Sequence, residues 1–148
     1  MSKIRVTKEF SFEMAHALWN YDGPCRNIHG HSYKLFVTVI GEPIPDPKHT
    51  KLGMVIDFSE LKKIVSENVI SIFDHAVIIN KLAIVKYLHD IDQMFEKTII
   101  ANYQPTCENI VNDIAGRIKN KLTENAQLYS LRLYETTTSY AEWFASDN

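Results

Sequence analysis

The sequence predicts an α+β domain: an antiparallel sheet with two helices packed on one of its faces. Three observations carry that expectation. Residues 3–16 alternate, with Ile4, Val6, Lys8, Phe10, Phe12, Met14 and His16 on one side and Lys3, Arg5, Thr7, Glu9, Ser11, Glu13 and Ala15 on the other. That is the pattern of a half-buried strand. Two later stretches instead carry apolar residues at helical spacing: Leu61, Ile64, Val65, Val69, Ile72 and Phe73, then Cys107, Ile110, Val111, Ile114, Ala115, Ile118 and Leu122. From Tyr129 the chain alternates again, with Tyr129, Leu131, Leu133 and Glu135 sharing a side.

Each element has its own signals. A second strand is expected over residues 33–40, pairing antiparallel with the first across the loop 17–28. Residues 41–53 hold three of the five prolines and two of the five glycines, a turn-rich connection. Met54, Val55 and Ile56 read as a strand end or the approach to a helix. Asp57 is placed to cap that helix, and Glu60 three residues on completes a capping box. Asp74 and His75 close it, and an apolar run follows over residues 76–79. Residues 81–102 are the least regular: 82–95 show mixed helical spacing, and 98–101 read as a short strand. Pro105 opens the second helix with Thr106 as its N-cap. Cys107 falls on the apolar stripe of this helix and reads as a buried structural thiol.

At 148 residues the chain is long enough for one domain with a substantial core. Its hydrophobic content of 45% and charged content of 23% are those of a soluble globular protein. A formal net charge of −2 argues against a nucleic-acid binder built on phosphate contacts. Two cysteines are too few for a disulfide framework. With no apolar leader and no run long enough to cross a bilayer, the expected location is cytoplasmic. Open sheet edges in so small a domain point to a symmetric homo-oligomer.

The chemistry concentrates in Cys25-Arg26-Asn27-Ile28-His29-Gly30-His31-Ser32-Tyr33. Side chains two apart on a strand share a face, so His29 and His31 point the same way, with Gly30 between them removing bulk. His16 ends the apolar side of the preceding strand. If the two strands pair, three imidazoles meet at one end of the sheet. Three protein ligands with an open fourth position is how catalytic Zn²⁺ is usually held. Cys25 is then either a fourth ligand, which makes the site structural, or a thiolate beside the metal with a lowered pKa. Asp74 beside His75 can orient an imidazole, although a helix C-terminus favours a charged histidine equally well. Glu108 suits the dipole of the second helix. Glu135 puts a carboxylate where the strand otherwise buries apolar residues, which suits a cationic or donor-rich ligand or a strand end turning to solvent.

Six segments in order resemble the 6-pyruvoyl-tetrahydropterin synthase/6-carboxytetrahydropterin synthase family. They are Phe12-Glu13-Met14-Ala15-His16, the Cys25–Tyr33 stretch, residues 53–62, Phe73-Asp74-His75, Pro105-Thr106-Cys107-Glu108-Asn109 and Tyr134-Glu135-Thr136. The three-residue gap between Cys25 and His29 resembles the bacterial carboxytetrahydropterin branch, which acts in queuosine and 7-deazaguanine synthesis. The pyruvoyl branch typically has a longer gap. Met14 stands where the family often has Ala, and residues 81–104 look like an insertion within a single domain spanning 1–148.

The resemblance implies the tunnelling fold, with sheet edges joining copies into a barrel, and a hexamer built as a dimer of trimers whose pocket lies between subunits. It implies Zn²⁺ on His16, His29 and His31, and Cys25 as general base with Asp74 and His75 as a second proton-transfer unit. Glu135 would bind the pterin ring, supported by Glu108. The implied substrate is 7,8-dihydroneopterin triphosphate and the implied products are 6-carboxytetrahydropterin, acetaldehyde and triphosphate. Two alternatives stand beside this: triphosphate elimination to the pyruvoyl product, and a non-catalytic zinc protein.

Overall fold

Alternation over the first forty residues becomes a long two-stranded ribbon. The structure, a computed structural model, describes residues 2–148. Strand β1 (Ile4–Ala17) pairs antiparallel with β2 (His29–Gly41) in unbroken register, from Ile4 opposite Gly41 to His16 opposite His29. Strand β5 (Ala126–Thr136) adds antiparallel to β2, and β6 (Ser139–Phe144) to β5. On the other side, β3 (Ala76–Asn80) and β4 (Thr98–Ala101) extend the sheet to the order β4-β3-β1-β2-β5-β6.

Those last two strands join in parallel, so the sheet is mixed where the sequence suggested a purely antiparallel one. The cause lies in the connections. Parallel neighbours need long crossovers, and helices precede both strands. A parallel strand covered on both faces also loses its alternation, and all five residues of β3 are buried.

Helix α1 (Phe58–Val65) starts at the Asp57 N-cap, whose side chain accepts from the Ser59 N–H at 2.8 Å. It continues through a π-helical turn, Ser66–Ile70, into a last turn, α2 (Ser71–Phe73). The buried residues are Leu61, Val65, Val69 and Phe73, each four apart. At 3.6 residues per turn such a stripe would drift by about 40° per step. The π turn absorbs the extra residue and keeps all four against the sheet.

Two short helices, α3 (Lys81–Lys86) and α4 (Ile91–Met94), occupy the irregular region. Helix α5 (Cys107–Ile118) begins at Thr106, whose Oγ1 accepts from the Asn109 N–H. The inner faces of α1, α2 and α5 meet Phe12, Met14, Tyr33, Leu35, Val37, Leu131 and Leu133 from the sheet in one core. Phe12 stacks on Tyr33 with ring centroids 5.1 Å apart. The opposite face of β3 is covered by the 81–95 segment, where Ala83, Ile84, Ile91 and Phe95 pack on Val77 and Ile79.

Residues 54–56 are the approach to α1, one of the two readings the sequence left open, with Val55 and Ile56 buried. One detail differs from the sequence reading. The last long strand starts at Ala126, and a bulge opposite Thr38 and Val39 shifts its phase. Leu128 is therefore buried while Tyr129 turns outward beneath the Arg5 guanidinium, 4.1 Å above its ring.

Candidate active site

Strand pairing builds the imidazole cluster. His16 lies directly opposite His29, and Met14, two residues earlier, lies opposite His31, so all three imidazoles share the helix-covered face. Ring centroids are 4.5 Å apart for His16 and His29, 5.1 Å for His16 and His31, and 4.9 Å for His29 and His31. One ligand nitrogen from each falls within 4.8 Å of the others. Gly30 does not make this room. Its α-carbon faces the other way, and a Cβ there would meet only Met14 O at an ordinary 3.7 Å.

The hydrogen bonds set the imidazoles up as ligands. His16 Nδ1 donates to the Pro105 carbonyl at 2.6 Å, and His29 Nδ1 donates to the Asn27 carbonyl at 2.7 Å. A carbonyl only accepts, so in the neutral ring each Nε2 keeps its lone pair. These are the outer-shell contacts that orient metal-binding histidines. The two Nε2 atoms sit 3.0 Å apart. His31 Nε2 is buried with no hydrogen-bond partner, 3.6 Å from Glu135 Oε1. His16 is only 2% exposed, and burial lowers its pKa below the usual 6.5, favouring the neutral ligand form. Facing lone pairs and an orphaned buried nitrogen both fit a soft-to-borderline cation, and three imidazoles fit Zn²⁺. Cys25 is outside this set of mutually close donors.

Cys25 instead lines an adjoining hollow of about 350 Å³, with Glu108, Glu135, Tyr140 and the buried His16. The loop carrying Cys25 is closed by the Leu18 N–H donating to the Cys25 carbonyl at 2.9 Å. Glu135 reaches the hollow from an irregularity in the pairing of β5 with β6, where Tyr134 faces Tyr140 but Thr136 faces Ser139. The extra residue is Glu135, and bulges of this kind re-aim a side chain. Glu108 comes from the first turn of α5. Cys107 lines the same hollow as a neutral thiol. It donates to the Leu133 carbonyl, and burial, with the Glu135 charge adding, pushes its pKa up to about 12.

A family model for 6-pyruvoyl tetrahydropterin synthase matches residues 5–146. The chain belongs to this family. Among its relatives, a Haemophilus influenzae protein named 6-carboxy-5,6,7,8-tetrahydropterin synthase is 38% identical, covering 95% of this chain and 98% of that one. A Rickettsia typhi protein of the same name is 32% identical over 94% and 99%. The 6-pyruvoyl tetrahydropterin synthase structure from Caenorhabditis elegans superposes with a TM-score of 0.70 at 25% identity, covering 98% of this chain and 97% of that one. An uncharacterized Wolinella succinogenes protein, 19% identical, shares the fold at a TM-score of 0.76, over 98% and 99%. This is the tunnelling fold. No helix among the described residues is long and apolar enough to cross a membrane.

Asp74 and His75 lie apart from the Cys25 hollow in this family member. His75 Nδ1 approaches Asp74 Oδ2 at 3.1 Å, with the imidazole 79% exposed. Asp74 Oδ1 accepts from the Glu13 N–H at 2.9 Å, which leads the contacts holding its carboxyl below the usual range. His75 lines a separate hollow of about 430 Å³ with Ala15, Ile28, Phe95 and Lys97. Two contacts emerge that the sequence did not reveal. Pro105 orients His16 through its carbonyl. Gln104 clasps the backbone of Trp19, accepting from its N–H at 2.9 Å and donating to its carbonyl at 2.7 Å. Partners 85 residues apart leave no local signal.

Proposed function

We propose that this chain is a zinc-dependent 6-carboxy-5,6,7,8-tetrahydropterin synthase. It takes 7,8-dihydroneopterin triphosphate and water to 6-carboxytetrahydropterin, acetaldehyde and triphosphate. The observation that carries the reading is the three-imidazole cluster opening beside a hollow that gathers Cys25, Glu108 and Glu135. The relatives bearing the carboxytetrahydropterin name, and the three-residue gap from Cys25 to His29, favour this branch.

Each residue has a task in that reading. His16, His29 and His31 hold Zn²⁺, which when bound polarises and acidifies the hydroxyls of the substrate side chain. Cys25, on its loop, takes a proton from the neighbouring carbon as a thiolate. Glu135 receives the donor pair of the pterin ring edge, a charge-assisted bidentate contact, and Glu108 supports the ring. Asp74 orients His75 as the second proton-transfer unit. Their separation from Cys25 within one chain supports a site completed by a neighbouring copy. We place that copy in a hexamer, a dimer of trimers assembled through the open edges β4 and β6, in the cytoplasm. The 81–104 segment is an insertion in the single domain.

A second reading, the 6-pyruvoyl product, is favoured by the matched family model and the Caenorhabditis elegans neighbour. One experiment separates them. Incubate zinc-loaded protein with dihydroneopterin triphosphate, identify the pterin by mass and assay acetaldehyde. Carboxytetrahydropterin with stoichiometric acetaldehyde, both lost in Cys25→Ala, is the expected outcome. The pyruvoyl product without acetaldehyde moves the protein to the other branch. No turnover with zinc bound refutes both and leaves a structural zinc protein.

A further inference from the structure

We propose that Lys97, in the segment leading into β4, is a positioning residue for the Asp74–His75 pair. The proposal rests on reading that pair as a proton-transfer unit. The imidazole of His75 is 79% exposed, so packing does not fix its direction, which is left to its backbone and to the Asp74 carboxylate. That backbone is unusual: His75 has φ +60°, a left-handed conformation that residues with side chains adopt only when held there.

The hold comes from both sides of a single peptide. The carbonyl oxygen of Asp74 and the N–H of His75 belong to the same planar unit. The N–H donates to Glu13 O of β1 at 2.6 Å, and the oxygen accepts from Lys97 Nζ at 2.7 Å. Lys97 Nζ also donates to Ser71 O at 2.7 Å, satisfying a carbonyl that the helix end leaves without an intrahelical partner. The backbone of Lys97 is fixed in turn, because its own carbonyl accepts from the Val77 N–H at 3.1 Å. One ammonium therefore ties the end of α2, the Asp74–His75 peptide and the β3–β4 pairing together. With the Glu13 N–H on Asp74 Oδ1, this leaves the aspartate oxygen Oδ2 aimed at His75 Nδ1. The irregular segment thus reaches the site through its last residues.

The test compares Lys97→Met and Lys97→Arg with the wild-type protein in steady-state kinetics, zinc content and residue-resolved amide exchange. Lys97→Met is expected to lower kcat by about 30–100-fold, the scale of a small misplacement, with KM changed less than about threefold. Exchange at the His75 amide should quicken by about tenfold, as for one weakened hydrogen bond, while β1–β2 amides and bound zinc stay as they were. Lys97→Arg, whose guanidinium can span both carbonyls, should recover most of kcat. A Lys97→Met protein with kcat within twofold of wild type and an unchanged His75 amide overturns the proposal. So does an Arg variant no better than Met with exchange quickened across the whole domain. If the wild-type protein turns over no pterin substrate, the functional reading fails instead, and the His75 amide alone decides the role of Lys97.

Discussion

Replacing Gln104 by Ala isolates the clasp that holds the loop bearing Cys25. Gln104 Oε1 accepts from the Trp19 N–H at 2.9 Å and from Asn80 Nδ2 at 3.1 Å, while Nε2 donates to the Trp19 carbonyl at 2.7 Å. An alanine keeps the backbone carbonyl that receives the Thr106 N–H and Asn109 Nδ2, so the start of α5 is untouched. Three hydrogen bonds are lost, each worth about 1 kcal/mol net. Trp19 is half-buried, so its backbone groups regain water in part, whereas Asn80 is 7% exposed and its amide does not. The expected loss is about 2–3 kcal/mol. Urea unfolding at fixed protein concentration and saturating zinc measures it, since any oligomer or metal linkage is then held constant. Zinc stoichiometry should be unchanged, because the three imidazoles sit on strands. Turnover should fall about tenfold or more as Cys25 loses its placement. A destabilisation below about 0.5 kcal/mol, within the range of an ordinary surface substitution, together with full activity, would refute the clasp.

Substituting His31 and Cys25 should have opposite signatures. If the cluster holds zinc as proposed, His31→Ala removes a ligand and should weaken zinc binding by more than the roughly 10–100-fold typical of losing an outer-shell partner, read by competition with a chromogenic chelator. Cys25→Ala should keep zinc and lower turnover by about 10²–10⁴-fold; loss of zinc there instead would make Cys25 a ligand. The metal-free protein should lose stability on the acid side. His16 has a folded pKa below 6.5, so above that value neither state is charged and it contributes nothing. As pH falls below 6.5 the unfolded chain takes the proton first, and stability drops by up to about 1.4 kcal/mol per pH unit until the folded pKa is passed. Urea titrations of the chelated protein across this window should show that slope, and His16→Gln should flatten it. An equal slope in both proteins would assign the effect elsewhere.

What could be read from the chain follows the range of each interaction. The imidazole cluster was legible because it depends on period-two alternation in two consecutive strands, and their pairing brings His16 opposite His29. Both caps, Asp57 and Thr106, were legible for the same reason: each bonds an N–H within three residues. Strand β3 was not, since burial on both faces erased its pattern. The Tyr129 phase was missed because a bulge is set by the partner strand, not by the bulged one. Gln104, Pro105 and Lys97 act on residues 85, 89 and 23–26 positions away, where no local spacing records them.

The same alternation that gathers the imidazoles keeps Asp74 and His75 from Cys25. His16, Met14 and Phe12 face the helices, while Glu13, whose backbone tethers Asp74 and His75, points its side chain to the reverse face, where it accepts from Ser32 Oγ at 2.7 Å. A chain that needs both units in one reaction must then take one of them from a second copy. In a closed symmetric ring every hollow meets the same reverse face of its neighbour, so no subunit is left incomplete. Mixing two inactive variants tests this directly. Cys25→Ala and His75→Ala, co-refolded in equal amounts, should form sites of which about one in four combines an intact Cys25 with an intact His75 from the neighbouring copy. Activity should therefore return to about a quarter of wild type. If both units served from one chain, the mixture would stay as inactive as its parts.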